Sequence, residues 1–137
     1  MARSYTENYG DNDDDANGIN LGNDGEKAFS DAFGGYVEPS GDGDDGGIDV
    51  VVDGVTFDVK TTEYETGHLL VRSDRKHYHN TDAYVLVIKT EDGFNIVGAL
   101  TASEVYAEKP RFWPNAHNHI FEQSDLRPVD EVIADCY

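Results

Sequence analysis

The sequence predicts a single mixed α/β domain, in which a mixed central β-sheet is flanked by helices. The length of 137 residues is that of one domain. Apolar segments typical of strands are interspersed with segments that carry helix-capping signals. The first 20 residues contain too few apolar side chains to join a core. We therefore expect a disordered acidic tail over residues 1–20 and one α/β (α+β) domain over residues 21–137.

The first element of the domain is expected to be a helix that ends at about Phe33. Asn23 or Asp24 can cap its N-terminus, and Gly34 and Gly35 follow its last turn. An apolar stripe is formed by Ala28, Phe29, Ala32 and Phe33. Because such a stripe must be covered, we expect this helix to lie on the sheet.

A β-hairpin is expected over residues 49–60, with Asp53-Gly54 as its turn. A two-residue loop fixes the register so that Asp49 lies opposite Asp58. Side chains alternate between the two faces of a strand. One face is therefore apolar and carries Val50, Val52, Val55, Phe57 and Val59. The other face carries Asp49, Val51, Thr56, Asp58 and Lys60.

Two carboxylates that face each other across a hairpin repel each other unless a cation lies between them. Lys60, on the same face, supplies positive charge and a proton donor beside any water or phosphate oxygen that a hard cation would hold. The pattern thus indicates a site for metal-dependent hydrolysis. The alternative is an ordinary solvated face, because half-buried hairpins have polar outer faces and this chain is rich in Asp.

Three further strands are expected downstream of the hairpin. Leu69–Val71 should form a third strand, and Ser73–Asn80 a short polar helix or turn. Ala83–Ile88 is a continuous apolar run that favours a buried strand. A turn at Glu91–Gly93 then leads to a strand over Phe94–Leu100.

Two helices are expected in the last third of the chain. Thr101–Glu104 has the pattern of a capping box, and the helix that it starts should end before Pro110. The apolar pair Ile120-Phe121 precedes a short helix over Val129–Ala134.

The hairpin and its surroundings resemble the PD-(D/E)XK nucleases, which share the restriction-endonuclease-like core. The matching pattern is Asp49, eight intervening residues and then Asp58-Val59-Lys60, preceded by a helix that carries Glu26. The resemblance covers about residues 22–101, and the order of the later strands is similar to that of small phage-type members. It departs from the family pattern at Ile48, which stands where the name of the motif has Pro.

The resemblance implies roles for particular residues. Members of the family use the first Asp and the acidic residue of the triplet as Mg²⁺ ligands, with the middle residue's carbonyl as a third. These positions are Asp49, Asp58 and Val59. Lys60 occupies the position that orients or deprotonates the attacking water, and Glu26 one that binds metal directly or through water.

By this resemblance the chain is a Mg²⁺- or Mn²⁺-dependent nuclease that hydrolyses phosphodiester bonds in DNA, with an endonuclease favoured over an exonuclease. Enzymes of this type often form homodimers to cut both strands. A non-catalytic nucleic-acid-binding or interaction protein on the same fold is the main alternative.

The net charge of −18 argues against a nucleic-acid enzyme, because proteins that bind phosphate normally have a basic surface. However, abundant Asp with scarce Lys is typical of extreme halophiles, where molar salt shortens the Debye length to about 3 Å. The excess of negative charge is also unevenly distributed, because the net charge is −14 over residues 1–65 and −4 over residues 66–137. Arg72, Arg75 and Lys76, close to His77 and His79, are candidates for holding a phosphate backbone, and a solvated surface turn is the alternative.

The expected location is cytoplasmic, in a haloarchaeal host and with a virus as a candidate source. No apolar run is long enough to span a bilayer, and no signal-peptide pattern is present. The single cysteine, Cys136, excludes an internal disulfide and argues against a thiol catalyst.

Three weaker patterns have competing interpretations. Asp13, Asp15, Asn17 and Gly18, followed by Asp24, approximate a calcium loop, although an entering helix is missing and a disordered acidic tail is the default. The pairs His77/His79 and His117/His119 could bind zinc, but surface histidines are favoured because no Cys or supporting spacing accompanies them. Trp113 is expected in core or lid packing, with stacking on a base as the alternative.

Overall fold

The computed structural model describes residues 17–38, 49–73 and 81–137, with side chains of the first helix from Leu21 onward. The mixed α/β fold is confirmed: a five-stranded mixed sheet, a smaller three-stranded sheet and flanking helices make up the described ranges. Residues 1–16 of the predicted tail and residues 74–80 of the predicted polar segment lie outside these ranges. No helix in the described ranges is long and apolar enough to cross a membrane.

The described part of the chain contains three α-helices, one 3₁₀ turn and eight strands. The helices are α1 (Asn17–Phe33), α2 (Ala102–Ala107) and α3 (Val129–Asp135), and the 3₁₀ turn covers Gln123–Asp125. The strands are β1 (Tyr36–Val37), β2 (Val50–Val52), β3 (Val55–Thr62), β4 (Leu69–Arg72), β5 (Ala83–Thr90), β6 (Gly93–Thr101), β7 (Arg111–Phe112) and β8 (His117–Phe121). The capping box at Thr101 and Glu104 is confirmed, with both of its hydrogen bonds formed.

The central sheet has the strand order β1-β2-β3-β5-β6. Strands β1, β2 and β3 form an antiparallel meander, β5 is parallel to β3, and β6 is antiparallel to β5. The pairing of Val50 with Phe57 confirms the register predicted from the hairpin turn. Asp53 and Gly54 have φ values of 52° and 81°, as this tight turn requires.

Strand β4 is present as predicted, but it belongs to a second, antiparallel sheet with the order β4-β8-β7. Its Leu69 and Val71 share a buried cluster with Tyr84 and Leu86 of β5. The second sheet therefore covers one face of the central sheet. Helix α1 covers the opposite face through Phe29.

Strand β5 is buried on both faces, which explains its continuous apolar sequence. Val85 and Val87 belong to the cluster under α1 and α3, where Phe29 and Phe57 make an edge contact at 4.9 Å. The alternate side chains of β5 lie under the second sheet. Because burying each large apolar side chain contributes about 1.5–3 kcal/mol, β5 anchors β3, its parallel neighbour, from both sides.

Helix α1 ends as predicted but begins earlier than predicted. Gly34 has a φ of 72°, and the Gly35 N–H donates to the Ser30 carbonyl at 2.9 Å, so glycines terminate the helix. The start is at Asn17 rather than at a cap on Asn23 or Asp24, so residues 17–20 of the predicted tail are helical. Extending a helix adds one hydrogen bond per residue, and this outweighs the weak preference of Asn23 for a capping position.

The position of helix α1 also tests the alternative interpretation of residues 13–24 as a calcium loop. A calcium loop folds about 12 residues around the ion with a sharp turn at its glycine. Asn17 and Gly18 instead begin α1, and Asp24 lies within it. The predicted loop is therefore not formed over residues 17–24, while Asp13 and Asp15 lie outside the described residues.

Gly25 lies where α1 approaches β3 most closely, and we expect Gly25→Ala to destabilise the protein. A Cβ at this position would overlap Oγ1 of Thr61, a short β-branched side chain with little freedom to move. The expected loss in the free energy of unfolding is about 1–3 kcal/mol, measured by urea denaturation. Gly22→Ala is the matched control, because open space surrounds Gly22 and Ala favours a helix by up to about 1 kcal/mol. Equal stabilisation by both substitutions would contradict the close approach.

Candidate active site

Asp49, the residue before β2, is held against β3 by both its backbone and its side chain. Its N–H donates to the Phe57 carbonyl at 2.9 Å, and its carbonyl accepts from the Glu38 N–H at 2.8 Å. Its Oδ2 accepts a hydrogen bond from the Val59 N–H at 2.9 Å. The Asp49 carboxylate thus takes the place of a backbone carbonyl in the ladder between β2 and β3.

The Val59 carbonyl is directed to the same side of β3. The N–H and C=O groups of one strand residue point to the same side, and the Val59 N–H points to Asp49. The pairing of β2 with β3 ends at Val50 and Phe57, so no described strand covers this part of the β3 edge. An oxygen atom of the backbone therefore lies beside the Asp49 carboxylate.

Asp58 and Lys60 lie on one face of β3, as the hairpin alternation predicts. The Lys60 Nζ is 3.1 Å from Asp58 Oδ1. The Asp58 side chain is 8% exposed and the Lys60 side chain 38%. Lys60 therefore partly neutralises a buried carboxylate while its ammonium group keeps access to solvent.

Glu26 reaches the same place from α1. Its carboxyl group interacts with those of Asp49 and Asp58, and Asp49 also interacts with Asp58. Gly25, the residue before it, allows the close approach of α1 to β3. The structure therefore brings together all four predicted catalytic side chains, from a helix, the start of β2 and the middle of β3.

The pKa values of all three carboxyl groups are raised, and burial is the largest cause for each of them. Burial raises the pKa of Asp49 to about 7, and the charges of Asp58 and Glu26 add to this increase. Burial also raises the pKa of Asp58, against the opposing effect of Lys60. Burial, and then the charge of Asp58, raises the pKa of Glu26. A single Lys60 ammonium does not balance the cluster, and such perturbed carboxyls are typical of functional sites.

The donor set matches the preference of Mg²⁺ and Mn²⁺ for oxygen ligands. Asp49, Asp58 and the Val59 carbonyl could hold one such ion, with Glu26 as a further carboxylate. In the described ranges, no group of three His, Cys, Asp or Glu side chains is arranged so that it could hold a metal ion. These side chains would therefore have to move to surround a divalent cation.

We expect the metal-free protein to lose stability as the pH rises from about 5.5 to about 8. The pKa of Asp49 is about 7 in the folded protein against 3.8 for an ordinary Asp, so the folded state binds the extra proton. Its stabilising effect is complete at low pH and is lost as the pH passes the folded-state value, by about 2 kcal/mol over this interval. Urea denaturation in EDTA measures the loss. Asp49→Asn should show a smaller loss, and an unchanged pH dependence in this variant would contradict the assignment.

The sequence analysis did not identify two tyrosines that lie beside Asp58. Tyr84 pairs with Asp58 in the parallel register of β5 and β3, and its hydroxyl is 2.5 Å from that of Tyr106 on α2. Burial is the main cause that raises the pKa of both tyrosines, and the charge of Asp58 adds to it. Both hydroxyls therefore remain protonated next to the carboxylate cluster. Only the parallel pairing, which joins segments far apart in the sequence, brings Tyr84 to Asp58.

A cavity of about 610 Å³ opens beside Lys60, between β3 and the second sheet. Its walls include the aromatic side chains of Tyr64, His68 and Trp113, together with Leu86. Trp113 was expected in core or lid packing, and its side chain is 46% exposed at this cavity. A volume of this size is typical of a site for a small organic group.

The predicted phosphate-binding segment is described only at Arg72, which is exposed at the end of β4. Arg75, Lys76, His77 and His79 lie outside the described residues. The segment is thus a prediction that the described residues do not test.

Of the two histidine pairs that could bind zinc, His117 and His119 lie within the described residues, on β8. His117 is exposed and packs on Phe112, whereas His119 is buried and its Nδ1 donates to the Glu108 carbonyl at 2.6 Å. His119 therefore serves the packing of α2 on the second sheet. Comparison of the chain with protein-family models, with curated proteins and with solved structures finds no match.

Proposed function

We propose that this protein is a Mg²⁺- or Mn²⁺-dependent nuclease of the PD-(D/E)XK type, which hydrolyses phosphodiester bonds in DNA, as an endonuclease in preference to an exonuclease. The observation that carries the proposal is the convergence of Glu26, Asp49, Asp58 and Lys60 from separate elements onto one partly buried point. The proposal includes a restriction-endonuclease-like core. It is supported by the order of a helix, an antiparallel hairpin and then a strand parallel to its second arm.

Asp49, Asp58 and the Val59 carbonyl would hold the metal ion, with Glu26 as a direct or water-mediated ligand. Such an ion, when bound, stabilises negative charge on phosphate oxygens and lowers the pKa of a coordinated water. The protein's own contribution is to fix these oxygens in place. Asp49 is fixed by the Val59 N–H, and Asp58 by burial and by Lys60.

Lys60 is the catalytic residue in this proposal. Its ammonium group is 3.1 Å from Asp58 and partly open to solvent, so it can reach a water or a phosphate oxygen that lies next to Asp58. As an ammonium group it orients the attacking water, whereas as a neutral amine it would take up that water's proton and become the ammonium. In either case the resulting positive charge offsets the charge that develops on the phosphate in the transition state. A buried Asp58 partner keeps the ammonium group in this position.

The second candidate is a nucleic-acid-binding or interaction protein without catalysis. It is favoured by the finding that no group of three His, Cys, Asp or Glu side chains among the described residues is arranged so that it could hold a metal ion. Such a protein would bind DNA in any divalent metal and leave every phosphodiester bond intact. A homodimer, a cytoplasmic location and a haloarchaeal or viral source remain part of the nuclease proposal.

The proposal is tested by cleavage of circular DNA in molar KCl, with Mg²⁺, Mn²⁺ or EDTA. Supercoiled plasmid and single-stranded circles are both offered, since a linear product from either requires an internal cut. We expect cleavage of at least one of them that needs the metal and disappears in Asp58→Ala. Folded protein that binds DNA but cuts neither substrate in either metal would support the non-catalytic candidate instead.

A further inference from the structure

The cavity beside Lys60 has walls of an unusual composition for the surface of so acidic a chain. Tyr64 and His68 lie on the loop between β3 and β4, and Trp113 lies on the turn between β7 and β8. Leu86 of β5 belongs to the lining, and Lys60 stands at its edge toward the carboxylates. The cavity thus joins an aromatic surface directly to the proposed catalytic lysine.

The aromatic rings of Tyr64 and Trp113 are exposed to solvent and are not packed in a core. Tyr64 is 76% exposed and Trp113 46% exposed. The ring of His68 meets that of Trp113 edge to face, with centroids 5.2 Å apart. One such contact covers at most one face of the indole. Exposed rings grouped around a cavity are typical of a binding site for a flat ligand.

Hydrogen bonds hold both aromatic walls in place. The Asn118 side chain donates to the Trp113 carbonyl at 2.7 Å, and the Trp113 N–H donates to the Ala116 carbonyl at 2.9 Å. On the other wall, the Gln123 side chain donates to the carbonyls of Glu65 and Gly67 at 2.9 and 3.1 Å. Little conformational entropy is therefore lost when a ligand enters between the walls.

We propose that this cavity binds an unpaired nucleobase by stacking on Trp113 and Tyr64, and that the substrate is accordingly single-stranded DNA. The inference rests on the proposed nuclease function and names the substrate class of that site. A base in the cavity would place its neighbouring phosphate toward Lys60 and the carboxylates, because these residues adjoin the cavity. A paired base inside a duplex cannot present its face to the rings.

The charge of the protein favours the same substrate. Duplex binding depends on many contacts of Lys and Arg with phosphates, and these contacts weaken steeply with salt. The chain has a net charge of −18, and the described residues that line the cavity include one Lys and no Arg. Stacking on aromatic rings contributes about 1–3 kcal/mol per base and does not need basic residues. At the molar salt expected for so acidic a chain, stacking is the interaction that persists.

Trp113 is the only tryptophan of the chain, so its fluorescence reports directly on this cavity. We would titrate the full-length protein in molar KCl and EDTA, where cleavage is excluded, with a short thymidine strand. The same strand with abasic sites and a duplex of the same length are the comparisons. We expect saturable quenching of Trp113 by the thymidine strand, and binding that is at least about tenfold weaker for the other two ligands.

Substitutions complete the test with a dye-labelled strand and fluorescence anisotropy. Trp113→Ala should weaken binding by about 5- to 150-fold. Phe112→Ala is the matched control, because Phe112 is the adjacent residue and is 64% exposed but does not line the cavity. Its affinity should equal that of the wild type, and circular dichroism verifies the fold of both variants.

The outcomes separate this inference from the nuclease proposal. Equal binding of the abasic and thymidine strands, or an unchanged affinity in Trp113→Ala, would overturn the stacking site even if metal-dependent cleavage is found. Tight binding of the thymidine strand that depends on Trp113, without cleavage in Mg²⁺ or Mn²⁺, would confirm the stacking site while contradicting the nuclease.

Discussion

Lys60→Ala is expected to lower the rate of DNA cleavage by about 10²- to 10⁴-fold while the protein stays folded. The lysine is the one cationic side chain bonded to the carboxylate cluster among the described residues, with Nζ at 3.1 Å from Asp58. Without it, the described part of the site keeps no cationic side chain that could orient the attacking water or assist the metal ion in offsetting the charge that develops on the phosphate. Single-turnover cleavage at saturating protein measures the chemical step, and circular dichroism and thermal unfolding verify the fold.

A second substitution separates the two roles of this lysine. Lys60→Arg keeps the positive charge and the partner of Asp58, but a guanidinium group does not give up a proton near neutral pH. We expect this variant to retain the affinity for Mn²⁺ and to remain at least about tenfold slower than the wild type. Lys109→Ala, which removes an exposed charge, is the control and should cleave normally. Cleavage by Lys60→Ala within tenfold of the wild-type rate would contradict the catalytic role.

Asp58→Asn is expected to have two effects of opposite sign. It should abolish metal-dependent cleavage, because the neutral amide is a poor ligand for Mg²⁺ and no longer attracts Lys60. It should also stabilise the metal-free protein at neutral pH, by about 1–2 kcal/mol, because it removes a buried charge that also raises the pKa of Asp49 and of Glu26. Active sites often contain residues that function requires although they lower the stability of the folded protein.

Urea denaturation in EDTA and calorimetric titration with Mn²⁺ measure these two effects separately. Asp92→Asn, on the exposed turn between β5 and β6, is the matched control and should change neither stability nor metal affinity. Wild-type protein should gain stability from Mn²⁺, whereas Asp58→Asn should not. A destabilised Asp58→Asn protein that still binds Mn²⁺ with wild-type affinity would show that Asp58 has only a structural role.

The side-chain positions in the candidate site that the sequence anticipated are those set by local rules. The Asp53-Gly54 turn fixes the register of the hairpin, and the register places Asp49 and Asp58 side by side. Alternation along β3 then puts Lys60 on the same face as Asp58. Glu26 was assigned by resemblance, and the approach of α1 at Gly25 accounts for its contact with Asp49.

The parts that the sequence did not predict depend on contacts between distant segments. The sequence of β4 does not distinguish it from other short strands. Its pairing with β8 brings Leu69 next to Phe121, although more than a third of the chain separates these two residues. No local pattern indicates that pairing, so neither the second sheet nor the cavity beneath it was expected. The same holds for Tyr84, whose position beside Asp58 results from the parallel pairing of β3 with β5.

The start of α1 shows a different limit of sequence reasoning. Asn23 and Asp24 are good capping residues, and the prediction placed the first turn there. The helix instead continues back to Asn17 and carries Asn23 in its interior. Capping preference amounts to about 1 kcal/mol, which an added turn of helical hydrogen bonds can exceed. Boundaries are for this reason less predictable than the elements themselves.

The most direct test of the central claim is the location of Mn²⁺ by anomalous diffraction from crystals of the wild-type protein soaked in Mn²⁺. We predict one peak bounded by the carboxylates of Asp49 and Asp58 and the carbonyl of Val59, and no peak there in Asp58→Asn crystals of the same form. A wild-type protein whose carboxylate cluster stays free of Mn²⁺ at saturating concentration would contradict the metal-dependent nuclease.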